Sequence, residues 1–138
     1  MRSTIYGIAI ALATAALPTA AQATGPNVKE TLAQCSAKRG SPDWLSCAAY
    51  VAGVSDAMMT NAATIKTSGD PKLFDALAPF SMCVAGDIVP TYGDRLEVFK
   101  HWAETHPELW GEPTYSGVMS AMRETWHCTP ALLQDQSN

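Results

Sequence analysis

The chain lacks most of the motifs by which a small protein announces its chemistry. No Gly-rich phosphate loop, nucleophile elbow or paired-carboxylate motif occurs in its 138 residues, so phosphate-cradling and acyl-transfer readings have nothing to stand on. Cys-x-x-Cys spacing is absent, which argues against structural zinc. Lysine and arginine form no stripe, and the formal net charge is −4, so a nucleic-acid partner is not expected. There is no sustained apolar–polar alternation of the kind that marks strands. Repeats and low-complexity tracts are missing too, and no long apolar run follows the N-terminal segment.

That segment reads MRSTIYGIAIALATAALPTAAQA. Arg2 provides a positive start, Ile5 to Leu17 an apolar stretch too short to span a bilayer, and Pro18 a break. Ala21-Gln22-Ala23 then supplies the small-x-small pattern of a signal-peptidase site. Residues 1–23 are therefore expected to be an export signal. Residues 24–138 remain as a single helical domain with its core over about 27–128. No cysteine lies near the cleavage site, so a lipid anchor has no attachment point. The mature chain is expected in the periplasm.

Four cysteines follow: Cys35, Cys47, Cys83 and Cys128. An even count in a short exported chain favours disulfides over metal binding or catalysis, and four cysteines allow three pairings. Helix periodicity favours one of them. Asn27 and Glu30 form a capping-box-like start, after which Val28, Leu32 and Cys35 recur at helical spacing. Gly40-Ser41-Pro42 reads as a break, with Asp43 as a cap or turn before Trp44. A second helix begins near Cys47, with a stripe of Cys47, Tyr50, Val51, Val54 and Met58. Gly53 within it predicts close approach of a neighbouring helix. An antiparallel turn would bring Cys35 to Cys47. Asp70-Pro71 opens a short helix to about Leu77, ended by Pro79.

Pro90-Thr91 with Asp94 opens the next helix, whose stripe reads Tyr92, Leu96, Phe99, Trp102 and Ala103; His106-Pro107 stops it. Pro113 starts the last, with Tyr115, Val118, Met119, Met122 and Trp126 on one face. Cys83 precedes the third main helix and Cys128 follows the fourth, so antiparallel packing would join them. The expected fold is all-α, a small disulfide-linked bundle of four main helices.

Candidate chemistry is thin. Glu97, His101 and Glu104 can share a helix face, but solvated pairing is the commoner use of such spacing, and no metal or cofactor is expected. His106 suits a capping role at a helix end. His127 beside Cys128 would suggest a thiol–imidazole pair, yet neighbouring helix residues diverge and the sulfur is expected to be bonded. No catalytic residue emerges, and the chain does not read as an enzyme. Asp56, in a helix of small and apolar residues, is either a partner-binding or buried hydrogen-bonding carboxylate, or a solvated one. Met58, Met59, Met119 and Met122 read as core or dimer-seam filler. Together with Tyr50 and Val51 they could furnish a homodimer interface. Trp110, flanked by Glu108 and Glu112 in a loop, either folds back over the bundle end or stands out as an aromatic anchor with an acidic rim.

The run Cys47-Ala-Ala-Tyr50-Val51-Ala-Gly53-Val54-Ser-Asp56, then Cys83, His106-Pro107-Glu108 and Trp126-His127-Cys128, resembles the Rap/Tai immunity proteins. The likeness covers about Cys35 to Cys128. It departs at Ala49, where glycine is common, and at Ala85, where proline is common; neither change removes a cysteine or a helix stripe. The resemblance implies a small exported helical protein that neutralises a peptidoglycan amidase effector of type VI secretion. In such proteins, loops and helix ends from a dimer enter the effector's active-site cleft. By topology this implies partner-binding by Glu108, Trp110 and Glu112, with Asp56 a further candidate. The alternative is a periplasmic chaperone or envelope-stress protein on the same scaffold, working through its methionine faces.

Overall fold

The structure, a computed structural model, describes residues 25–85 and 89–131. The leader over residues 1–23 lies outside the described residues. Five α-helices are present among those described: α1 (Val28–Cys35), α2 (Pro42–Ser68), α3 (Pro71–Leu77), α4 (Tyr92–Thr105) and α5 (Thr114–Thr125). Short 3-10 turns lie at Ala78–Phe80 and Pro107–Leu109. No described helix is long and apolar enough to cross a membrane. The fold is an all-α, disulfide-linked bundle.

Local chemistry sets most of the helix ends. The capping box of α1 is complete: Glu30 N–H donates to Asn27 Oδ1 at 2.9 Å, and Asn27 N–H to Glu30 Oε2 at 3.2 Å. Asp70 caps α3 and Pro71 occupies its first turn, where a missing N–H is harmless. At α4, Thr91 and Asp94 satisfy each other's backbone N–H groups.

Two expectations need correction and a third stands. Gly40-Ser41-Pro42 is not merely a break but the start of α2, five residues before Cys47. Ser41 Oγ accepts the Trp44 N–H at 3.3 Å and Pro42 takes the first helical position. The turn itself falls on Gly40, whose φ of 84° suits a residue without a side chain. α3 ends at Leu77 as expected, and the chain tightens into the Ala78–Phe80 turn, in which Pro79 sits early and donates nothing. Gly53 has no neighbour near its missing Cβ, so no helix approaches there. The close crossing is at Gly117 on α5, where a Cβ would stand 2.6 Å from Val28 Cγ2 and 3.1 Å from Trp102 Cζ3.

α2 is the spine, about 40 Å long at 1.5 Å per residue, and α1, α4 and α5 pack around it. Phe99, Met58, Met82, Met122, Val28, Val51 and Val118 are fully buried. Two stripe positions are outside instead: Tyr92 is 59% exposed and Tyr115 53%. On α4 the inward place next to Leu96 is taken by Arg95, and on α5 by Thr114, Gly117 and Ala121 beside Val118 and Met122. Val51, Met58 and Met122 are therefore interior residues, with Tyr50, Met59 and Met119 half-buried against them. Cys35 is bonded to Cys47 and Cys83 to Cys128. The first bond ties the end of α1 to the second turn of α2. The other ties the segment before α4 to the chain after α5.

Candidate partner-binding surface

The turn after α4 is held from below. The first N–H groups of α1 have no partner within their own helix, and the turn supplies them: Val28 N–H donates to the Glu112 carbonyl at 3.0 Å, Lys29 N–H to that of Trp110 at 3.2 Å. Thr114 N–H and Oγ1 both donate to the Pro26 carbonyl, at 3.0 and 2.6 Å. That leaves the buried Thr31 hydroxyl to donate to Thr114 Oγ1, 2.7 Å away. The Trp110 indole folds back: its Nε1–H donates to the Ala103 carbonyl at 2.7 Å, and the Lys29 ammonium lies 5.4 Å from the ring centroid. Trp110 is half-buried against the core, covering the bundle end, while Glu108 and Glu112 are exposed on either side.

Asp56 is elsewhere. Its Oδ1 accepts from Arg95 Nη1 at 2.6 Å and its Oδ2 from the Tyr92 hydroxyl at 3.3 Å. The Arg95 guanidinium also donates to Ser55 Oγ at 2.9 Å, and its carbon sits 4.3 Å from the Tyr92 ring centroid. Arg95 and Ala103 are eight residues apart on α4, about 12 Å along its axis. Glu108, Trp110 and Glu112 thus share one end of α4 and Asp56 the other; the four do not form one cluster. Arg95 had no place in the sequence reading. The available signal was a charge standing between Tyr92 and Leu96 in an inward stripe, with Asp56 as an unassigned carboxylate to meet it.

Of the histidines, His106 has a structural duty. His106 Nδ1–H donates to the Trp102 carbonyl at 2.8 Å and its ring stacks on Trp102 with centroids 4.7 Å apart. Trp102 Nε1–H in turn donates to Glu124 at 2.9 Å. Glu97 is bonded to Lys100 rather than to His101. Among the described residues, no group of three His, Cys, Asp or Glu side chains is placed to hold a metal ion. His127 is exposed beside a cysteine already in a disulfide.

A family model for the Rap1a immunity proteins matches residues 27–128, most of the chain. The chain belongs to the Rap1a immunity protein family. No curated protein and no solved structure matches it. As a Rap1a immunity protein it is a binder of a cognate secreted effector, and its surface is to be read as a docking surface. Two exposed features stand at opposite ends of α4. One is the pinned turn with Glu108 and Glu112 at its rim; the other is the Tyr92–Asp56 face, reached across α4.

Proposed function

We propose that the mature chain is a periplasmic inhibitor of a peptidoglycan amidase effector delivered by type VI secretion, and that it acts by plugging the effector's active-site cleft rather than by catalysis. The observation that carries this reading is the family match across residues 27–128, the whole bundle. The two disulfides are in keeping with an oxidising compartment. Residues 1–23 serve as the export signal on this reading, and the exported protein begins at Thr24.

The turn from Glu108 to Glu112 is the proposed plug. Its backbone is tied to α1 through carbonyls and its indole to α4, so it would enter a cleft without first having to be ordered. An acidic inhibitor also gains encounter rate against a basic, cell-wall-binding hydrolase. The chaperone reading needs methionine faces open to clients, whereas Met58 and Met122 are buried and Met59 and Met119 are half-buried against the core.

Co-purification from the periplasm with an amidase encoded beside the gene tests the proposal. Calorimetry on that pair tests the plug. Glu108→Lys with Glu112→Lys leaves the pinning carbonyls in place, so binding should be lost while helicity is unchanged; retained affinity would remove the plug assignment.

A further inference from the structure

Tyr92 combines high exposure with a fixed position. It is 59% exposed, yet one part of its ring rests on Arg95 and its hydroxyl donates to Asp56. Arg95 is itself held by Ser55, Asp56 and, through Nε, the Thr91 carbonyl at 3.4 Å. An aromatic ring presented to solvent and already ordered loses little freedom when a partner covers it. Tyrosine so placed is the usual make-up of an interface anchor.

The charges around it are sorted by depth. Arg95 has 5% of its side chain exposed against 50% for its partner Asp56; Lys100 has 24% against 69% for Glu97. In both pairs the cation lies inward and the carboxylate outward. Asp94 is exposed as well, and hydrogen bonds from the Thr91 side chain and backbone hold its carboxyl below the ordinary value, so it stays ionised. A groove of about 570 Å³ opens beside Tyr92, lined by Asp94, Glu97 and the Glu97-paired Lys100 of α4 and by Trp44 of α2. Arg39 also lines it, drawn over Trp44 with its guanidinium 5.7 Å from the ring centroid.

We propose that this face of α2 and α4 docks a basic segment of the partner protein. A lysine or arginine side chain stacks on the open part of Tyr92, and its charge falls beside Asp94 and Glu97. The identity of the partner rests on the immunity reading; the chemistry of the surface does not.

The oxidised mature protein, titrated with tetra-arginine amide and followed by two-dimensional amide NMR, tests the surface. Shifts should concentrate at Tyr92, Asp94, Glu97 and Asp56. Tyr92→Leu, which keeps an apolar cover over Arg95, and Glu97→Gln should each weaken binding about three- to fivefold with the circular dichroism unchanged. Shifts spread over unrelated carboxylates such as Glu30, Asp75 and Glu108, or full affinity in both variants, would overturn the proposal. The adjacent amidase is the second probe. If it binds wild type and both variants equally, the docking face is wrong and the immunity reading stands. If it does not bind wild type, the immunity reading fails and the peptide titration alone decides the surface.

Discussion

Arg95 is the residue on which the α2–α4 contact turns. A guanidinium with so little exposed surface is tolerated because Asp56, Ser55 and the Thr91 carbonyl replace water around it. Removing the carboxylate alone leaves a buried cation short of one acceptor. Asp56→Ala should therefore cost about 1–3 kcal/mol in chemical denaturation. Arg95→Met removes the charge itself and retains a chain of similar reach, so its cost should stay within about 1 kcal/mol. The double variant should resemble Arg95→Met rather than the sum of the two; strict additivity would mean that the pair is not coupled. The sequence held only half of this arrangement. Asp56 stood out because its helix is otherwise small and apolar, whereas Arg95 passes for a surface charge until the α4 stripe is seen to face inward at that turn.

At the scale of the helix, capping chemistry and most of the inward stripes were legible, and the close crossing of helices was not. Asn27 with Glu30, Asp70-Pro71 and Thr91 with Asp94 each satisfy backbone donors with side chains a few residues away, so local sequence suffices to find them. Ser41-Pro42 carries the same kind of signal but sits against Gly40, and a breaker and a helix start look alike there. The glycines went astray for a different reason: which helix face meets a neighbour is a long-range property. Gly117→Ala drives a Cβ into Val28 and Trp102 and should destabilise by about 1–3 kcal/mol. Gly53→Ala meets nothing and should stabilise α2 by up to about 1 kcal/mol. Paired thermal melts distinguish the two, and a reversal of sign would mean that α2 and α5 have exchanged roles.

The Asp94 cap also predicts a pH response. Its carboxyl is held below the ordinary value in the folded protein, chiefly by the Thr91 hydroxyl. The unfolded chain therefore binds the proton more readily. The contribution is present above the unfolded value and is lost as pH falls through the folded one. Asp94→Asn should flatten the acid limb of the melting-temperature profile in that window and leave the neutral region lower. An unchanged acid limb would show that other carboxylates dominate it.

For the whole molecule, the question is whether the bundle stands without its sulfurs. α1 is eight residues long, too short to be stable by itself, and its free N–H groups depend on the turn at Trp110 and Glu112. Its other end is fixed to α2 through Cys35–Cys47. The second bond anchors the segment before α4 beside the end of α5, where Cys83 N–H donates to the Trp126 carbonyl at 2.9 Å. The closed loops separate their cysteines by 12 and 45 residues, worth about 3 and about 4 kcal/mol on the chain-entropy account. A domain of this size has roughly 5–15 kcal/mol in total, so the two together are comparable to the whole margin. Reduction should then lower the denaturation midpoint sharply, with α1 and the pinned turn losing amide protection first. Cys35→Ser with Cys47→Ser should weaken that end more than Cys83→Ser with Cys128→Ser does, although its loop is shorter, because a short helix and the proposed plug both depend on it. A chain made without residues 1–23 in a reducing cytoplasm should accumulate poorly and recover on oxidation. If it is instead fully folded and protected with all four thiols free, the helices hold the plug unaided and the disulfides add only durability.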